Sequence, residues 1–253
     1  MEKKTWPISI PSPTRGEEVS ERYLAIETSS PRLSLAAGDE HKILARYEGP
    51  LAWRHADTLF DGLRKLLGRL RWTPGSLTGV AVSVGPGSFT GIRIGLSAAR
   101  ALGQSLRIPV VGVPSLQTLA FGAGPRAHWI SPMIDALQNK VFTGLYAHKE
   151  TGELRVIHKE AHIPIEEWVA RLKARKIKDL WLTGDAVKVY APALVKLPGK
   201  KLAPAEKRYP SAAALLELAR SRLRHAKPGS YKNVFPLYLR QAAALERRKS
   251  GRA

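Results

Sequence analysis

The chain has 253 residues, 44% of them hydrophobic, which is enough for two modest lobes or one large domain. It has no cysteine, which excludes disulfides, thiolate metal sites and cysteine nucleophiles and fits a reducing compartment. Its formal net charge is +20, its apolar runs are too short to span a bilayer, and its first residues lack the apolar segment of a signal peptide, so we expect a basic cytoplasmic protein with no membrane contact.

Residues 1–22 are predicted to form a loose extension before the first strand. The next part predicts three strands, a helix, a strand, a helix, a strand and a short helix. Their ranges are 23–26, 33–37, 42–47, 54–71, 79–84, 89–106, 109–113 and 115–121. In the first helix the apolar residues have helical spacing, and we expect Leu59 and Phe60 among them on its buried face.

A linker at 122–125 separates this part from a second, similar series of elements. The second series has strands at 128–134, 141–147, 154–158 and 180–182, and helices at 165–174 and 211–224. A duplicated pattern of this kind is typical of the actin/hexokinase/Hsp70-like ATPase fold, an α/β fold of the ribonuclease H-like type with two lobes. We place the lobes at 23–122 and 123–240, followed by a basic tail at 241–253.

The segment from Val80 to Leu96 joins a buried strand, a glycine turn and a helix. Gly85 and Gly87 permit a positive φ, and the helix that begins near Ser88 directs unpaired N–H groups at the same point, which suits an anion. The turn is not a Walker A loop, because no Gly-Lys-Ser/Thr follows. It also lacks the dinucleotide fingerprint, since Thr90 stands where the third glycine belongs.

A candidate remnant of a phosphate or nucleotide site lies where the first strand ends. Folds of this type direct a carboxylate and hydroxyls from that point toward nucleotide phosphates and magnesium. The candidate residues are Glu27, Thr28, Ser29, Gly85, Gly87, Ser88 and Thr90. The alternative, which we prefer, is a structural turn, because Ser29-Ser30-Pro31 is a strong turn former.

Two histidine patterns invite a chemical interpretation. His158 and His162 have the spacing of a metal pair on a helix, but they follow a strand and precede Pro164, and no third ligand is evident, so we predict no metal site there. His55 and Asp57 could act as an acid–base pair. At the start of a helix, however, a capping or interface role is more common.

Several motifs together resemble the TsaB (YeaZ) family. They are Tyr23–Ser29, 53–57, the glycine segment 84–96 and 108–116, with weaker matches at 134–136, 183–185, 209–213 and 235–240. The resemblance implies a non-catalytic scaffold or dimerisation subunit that is required to make N6-threonylcarbamoyladenosine beside the tRNA anticodon. The implied partners are a TsaD-like catalytic subunit, a TsaE-like ATPase and a second copy of the chain. ATP and a metal ion are expected on the partners, with no cofactor on this subunit.

One departure separates this chain from the catalytic relatives. Those relatives carry a His-x-x-x-His metal pair directly after the strand at 109–113, and this chain has Ser115 and Leu119 at the matching positions. Neither side chain binds a metal as an imidazole does. We therefore predict no catalytic residues and no metal in this chain.

The helix at 89–106 has a second interpretation. Gly91 and Gly95 lie four residues apart, and small residues at that spacing let another helix approach closely. In the TsaB family this looks like the surface that meets TsaD or a second TsaB. The candidate interface residues are Gly91, Ile92, Gly95, Leu96 and Ala99, with His55 and Leu59 on the neighbouring helix. Ordinary packing within the chain would select the same small residues, so both interpretations stay open.

The positive charge also has two interpretations. Basic residues cluster at 171–178, 220–224 and 247–252, and such a field suits tRNA or an acidic protein. A solvated surface that provides solubility is the alternative, because the clusters lack the interleaved aromatics that stack bases. The runner-up functions are a free-standing ATP-dependent small-molecule kinase or acyltransferase and an RNA-binding module.

Overall fold

The computed structural model describes residues 21–52, 54–123 and 129–239. Most of the predicted N-terminal extension, Trp53, part of the linker and the basic tail lie outside these ranges. The N-terminal lobe contains a five-stranded sheet in the order β3-β2-β1-β4-β5. Its strands are β1 (Tyr23–Glu27), β2 (Arg32–Gly38), β3 (Ile43–Leu51), β4 (Gly79–Ser83) and β5 (Val110–Val113).

The second sheet repeats the topology of the first. Its strands are β6 (Trp129–Asp135), β7 (Lys140–His148), β8 (Leu154–Pro164), β9 (Leu180–Thr183) and β10 (Lys201–Leu202), in the order β10-β9-β6-β7-β8. In both sheets the first three strands pair antiparallel and the last two join in parallel. This duplication confirms the predicted two-lobed α/β fold of the actin-like ATPase type.

Seven α-helices accompany the sheets in the described ranges. They are α1 (His55–Arg69), α2 (Phe89–Leu106), α3 (Ser115–Ala123), α4 (Ile165–Ala174), α5 (Ala186–Val189), α6 (Ala191–Leu194) and α7 (Ala212–His225). Helices α1 and α2 pack on one face of the first sheet, and α4 to α6 pack on one face of the second. None of the helices in the described ranges is both long enough and apolar enough to cross a membrane.

The last helix of each half packs on the sheet of the other half. Leu116 and Ala120 of α3 contact Ile130 and Tyr146 of the second sheet. Helix α7 covers the remaining face of the first sheet through Leu215, Leu216, Ala219 and Leu223. Because α3 and α7 also contact each other, they bury apolar surface from both lobes and tie the lobes together.

Strand β8 differs most from the prediction. It continues to Pro164 and includes both histidines of the His-x-x-x-His pattern. Register irregularities opposite Gly144 and Leu145 change which way the side chains face. The His158 ring lies 5.3 Å from Trp168 of α4, whereas the His162 ring lies 5.1 Å from Phe142 on the face that α3 covers. The two imidazoles therefore lie on opposite faces of the sheet and cannot share a metal ion.

The buried face of α1 is narrower than predicted. Leu59 and Leu66 are buried, but Phe60 is 72% exposed, so the prediction that Phe60 faces the core is wrong. Phe60 lies at the edge of the apolar stripe, and its position around the helix directs its ring toward solvent.

Three helices end on a basic residue in the left-handed conformation. Arg71 after α1, Arg107 after α2 and Lys176 after α4 have φ of 55°, 56° and 50°. After α1, Trp72 N–H donates to Leu67 O and Arg71 N–H donates to Gly68 O, which is the Schellman pattern. Glycine is the usual residue at such a position, and a side chain there costs about 1 kcal/mol.

We expect Gly91→Ala to lower the free energy of unfolding by about 2–3 kcal/mol, because a Cβ at this position would lie 2.1 Å from the Thr28 carbonyl oxygen. Gly68→Ala on α1 is the matched control. No atom lies within 4 Å of its added Cβ, so it should raise stability by about 0.5–1 kcal/mol. Urea unfolding measures both changes, and a stable Gly91→Ala protein would contradict the close contact.

Candidate functional site

The end of β1 and the glycine turn lie side by side. Strands β1 and β4 are parallel neighbours, with Ile26 opposite Val82, so their carboxyl ends meet at the same edge of the sheet. The backbone N–H of Ser88 donates to the Ser29 carbonyl oxygen across 2.8 Å. The structure thus brings together the two segments that supply the candidate phosphate-site residues.

Three glycines allow this approach. A Cβ on Gly87 would lie 2.3 Å from the Ser29 carbonyl oxygen. On α2, a Cβ on Gly91 would meet the Thr28 carbonyl oxygen, and one on Gly95 would lie 2.3 Å from Thr28 Oγ1. The lack of a side chain at these positions is therefore explained by packing inside the chain.

Two of the N–H groups at the predicted anion site, those of Ser88 and Gly91, are bonded within the chain. Ser88 is the N-cap of α2, and its hydroxyl accepts from Gly91 N–H across 3.0 Å. Its own N–H is bound to Ser29, and the Gly85 carbonyl accepts from Ser115 N–H across 2.8 Å. Thr90 is exposed on the outer side of the helix. An anion that bound the Ser88 or Gly91 N–H group would have to displace these bonds.

Glu27 lies fully buried beneath this closed turn. Its Oε1 accepts from Ser29 N–H across 2.6 Å. Burial raises the pKa of the Glu27 carboxyl, and the neighbouring Ser29 and Ser83 lower it without offsetting that effect. A buried carboxyl does not attract a phosphate, and the raised pKa of Glu27 is explained by its desolvation.

Glu27 is part of a polar row that crosses three strands. The register places Glu27 opposite Ser34, and Ser34 opposite Glu48. The Ser34 hydroxyl donates to Glu48 Oε1 across 2.7 Å and accepts from Ala212 N–H across 2.8 Å. Burial also raises the pKa of the Glu48 carboxyl. The row fixes the first turn of α7 to the sheet, and it was missed because its strand register is not visible in the sequence.

His55 connects α1 to the same segment. The ring is buried, and its Nε2 lies 2.8 Å from the Ser30 carbonyl oxygen, to which the Nε2–H tautomer donates. Burial lowers the pKa of the His55 imidazole. Asp57 is exposed and pairs with Arg54 across 3.2 Å. The two side chains therefore have separate structural roles and do not form an acid–base pair.

The predicted interface residues face the interior of this chain. Gly91, Ile92, Gly95, Leu96 and Ala99 all lie on the buried side of α2. Leu59 on α1 belongs to the same apolar core, and His55 is buried at the start of that helix. A partner that docks on α1 and α2 would meet the outer residues of these helices, which the sequence did not single out.

The outer face carries an exposed aromatic cluster. Phe89 is 54% exposed and Tyr238 is 48% exposed, and their ring centroids lie 5.5 Å apart. The Arg93 guanidinium lies 3.8 Å from the centre of the Phe89 ring, and its Nε donates to Tyr238 Oη across 3.2 Å. Together with Phe60 on α1, we call these residues the outer aromatic face.

Residues 230–239 bring Tyr238 to this face. Ser230 hydrogen-bonds both backbone groups of Val110 through its hydroxyl, at 2.8 Å and 3.0 Å. Further along, Leu237 N–H donates to the Val84 carbonyl oxygen across 2.7 Å. The end of the described chain thus crosses back over the N-terminal lobe beside the glycine turn.

Ser115 and Leu119, at the two positions where the resemblance places the metal-binding histidines of the catalytic relatives, make core contacts. The Ser115 hydroxyl donates to the Pro86 carbonyl oxygen. Leu119, one turn further along α3, is buried in the core. Within the part of the chain that the structure describes, no three His, Cys, Asp or Glu side chains are grouped so as to hold a metal ion.

We expect stability to fall as the pH drops below the ordinary histidine pKa of about 6.5, because the unfolded chain then binds a proton that buried His55 resists. His55→Gln should reduce this slope between pH 7 and pH 5. His225→Gln, at an exposed position, is the control and should leave the slope unchanged. Thermal unfolding across this range measures the effect, and equal slopes for all three proteins would contradict it.

Comparison with known proteins agrees with this architecture. The family model for TsaD, tRNA N6-adenosine threonylcarbamoyltransferase, matches residues 49–247. The tRNA threonylcarbamoyladenosine biosynthesis protein TsaB of Bacillus subtilis is 35% identical over 162 residues, which cover 64% of this chain and 70% of the relative. TsaB of Escherichia coli is 28% identical over 229 residues, covering 89% of this chain and 97% of the relative.

A solved structure of YeaZ from Pseudomonas aeruginosa superposes with a TM-score of 0.74 at 28% identity, covering 87% of this chain and all of that one. The family model carries the name of the catalytic relatives, whereas these pairwise matches are to proteins named TsaB or YeaZ and cover 70% to all of their length. By these similarities the chain belongs to the TsaB (YeaZ) family.

Proposed function

We propose that this chain acts in tRNA threonylcarbamoyladenosine biosynthesis as a non-catalytic scaffold that binds and activates a TsaD-like catalytic subunit. Its relatives bear the name of that biosynthesis. The observation that carries the non-catalytic part is the presence of Ser115 and Leu119, both packed in the core, where the resemblance places two metal-binding histidines.

The closed glycine turn supports the same conclusion. Ser29 occupies the Ser88 N–H, and the buried Glu27 carboxyl lies behind it. A nucleotide-dependent enzyme of this fold needs open donors at this point. ATP and the metal ion are therefore assigned to the partner subunits.

The outer aromatic face is the proposed docking surface. Phe60 on α1, Phe89 on α2 and Tyr238 in the segment 230–239 expose aromatic rings, and Arg93 contacts two of these rings. Aromatic and arginine side chains supply much of the energy of protein interfaces. A catalytic subunit of the same fold would dock here, and a second copy of this chain would compete for the same face. A TsaE-like ATPase would join the assembled pair, in the cytoplasm.

Reconstitution tests the function. The TsaD-like subunit, the TsaE-like ATPase and the threonylcarbamoyl-AMP synthase of the same organism are combined with tRNA, and modified adenosine is measured with and without this chain. We expect modification only with the chain present, and no ATP turnover by the chain alone. Equal modification without it would refute the scaffold, and magnesium-dependent ATP turnover by the isolated chain would favour the kinase or acyltransferase alternative.

We expect Phe60→Asp to weaken binding of the TsaD-like subunit at least tenfold, because it places a charge in the apolar contact. Val195→Asp is the matched control, since Val195 is also 72% exposed but follows α6 in the other lobe. Both variants should unfold at the wild-type temperature. Equal affinities of the two variants, measured by calorimetry, would place the docking surface elsewhere.

A further inference from the structure

Three strands of the first sheet begin at the same end of the sheet. Strands β1, β4 and β5 are parallel, so they all begin at this end. Thr78 N–H donates to the Arg22 carbonyl oxygen across 2.9 Å, just before β1 and β4. Val80 N–H donates to the Pro109 carbonyl oxygen across 3.0 Å, just before β5.

Three helices finish at the same end. Helices α1 and α2 lead into β4 and β5 and so run back to the strand starts. The last turn of α7 also reaches them, because Leu223 lies beside Tyr23 and the position of Gly79. The 3₁₀ turn at Ser230–Asn233 is fixed there by its bonds to Val110.

Basic residues crowd this end. We call the following seven the basic pole: Arg22, Arg69, Arg71, Arg107, Arg224, Lys227 and Lys232. All except the half-buried Arg22 are exposed. In the described ranges none of the seven lies within 4 Å of a carboxylate, whereas Arg64 and Lys65 in the middle of α1 both pair with Asp61.

The carboxylates nearby do not neutralise the pole. Glu21 accepts from the Thr78 hydroxyl across 2.6 Å. Asp39, in the turn between β2 and β3, accepts from the backbone N–H groups of His41 and Lys42 at 2.8 Å. Glu40 pairs with the His41 ring across 3.3 Å. These three carboxylates keep their negative charges, but the seven cations outnumber them, so the pole retains a net positive charge.

Two of the arginines stand where a side chain costs stability. Arg71 and Arg107 hold the left-handed position at which glycine would end the helix without strain. A cation favours a helix C-terminus, which offsets part of the cost. Since a lysine or arginine in the preceding turn would provide the same benefit without strain, the charge at the helix tip itself needs a further explanation.

We propose that the basic pole binds the phosphate backbone of the tRNA on which the complex acts. Seven cations at one end, none of them within 4 Å of a carboxylate of the described residues, match a polyanion. A protein partner would need apolar contacts, whereas the seven pole residues are all arginine or lysine. This inference rests on the proposed function, which supplies the tRNA.

The position of the pole suits this task. It lies at the C-terminal ends of α1 and α2, whereas the outer aromatic face lies toward the N-terminal halves of the same helices. A tRNA held at the helix ends would therefore extend toward a catalytic subunit docked on the helix sides, while neither contact would cover the other.

The test removes three charges from the pole without straining the fold. The pole variant combines Arg71→Gly, Arg107→Gly and Lys227→Gln. The control combines Lys173→Gln, Arg175→Gln and Lys176→Gly at the end of α4, where all three side chains are exposed and Lys176 has the same left-handed backbone. Both variants lose three positive charges and keep the basic tail. Net charge and the tail therefore contribute equally to the tRNA affinity of the two variants.

Affinity for a labelled tRNA transcript is measured by anisotropy over a range of salt, for the chain within the reconstituted complex. We expect the pole variant to bind at least tenfold more weakly. The slope of log affinity against log salt should fall by about two to three, since each lost phosphate contact removes about 0.7–0.9. The control should stay within twofold of the wild type.

Equal losses in both variants would show diffuse attraction and overturn the proposal, as would no loss in either. Binding of the TsaD-like subunit is measured in parallel and should be unchanged in the pole variant. A chain that binds tRNA through the pole but is dispensable for modification would refute the proposed function alone.

Discussion

The close approach of Thr28 and Ser29 to the start of α2 determines the arrangement of the N-terminal lobe. Backbone oxygens lie where a Cβ would stand on Gly87 and Gly91, so the contact exists only because these positions lack side chains. It draws α2 against the end of β1 and uses up the Ser88 N–H. It also carries Ser30 to the point where His55 can bind its carbonyl and anchor α1.

The two lobes depend on a second constraint, which is the exchange of helices α3 and α7. Each covers the sheet of the opposite half, so neither sheet can bury both faces with its own half alone. Polar contacts fix the ends of these helices. Ser115 binds the glycine turn, and Ser34 binds the first turn of α7. A ligand that opened the turn would therefore disturb the junction of the lobes.

The elements with strong local signals could be predicted from the sequence. Helix α2 begins after its Ser88 cap and α4 after Pro164, both as predicted, because capping and periodicity are local properties. The predicted strand at 154–158 is shorter than β8, because the bulges of β8 break the alternation of side chains that marks a strand. The sequence could not show whether Gly91 and Gly95 serve a partner interface or packing within the chain. Thr28, which packs against both glycines, is distant from them in sequence. The exposed ring of Tyr238 was missed for the same reason.

Under the proposed function, the same two helices would offer different surfaces to different partners, for a physical reason. The side of a helix presents an array of side chains over several turns, which suits the broad apolar contact of a protein. The end of a helix gathers carbonyl oxygens that favour cations, so arginines there remain extended toward solvent and available to phosphates. A scaffold without chemistry of its own has no need of an open glycine turn. Under the proposed function, closing that turn stiffens α1 and α2 and holds both surfaces at a fixed distance from each other.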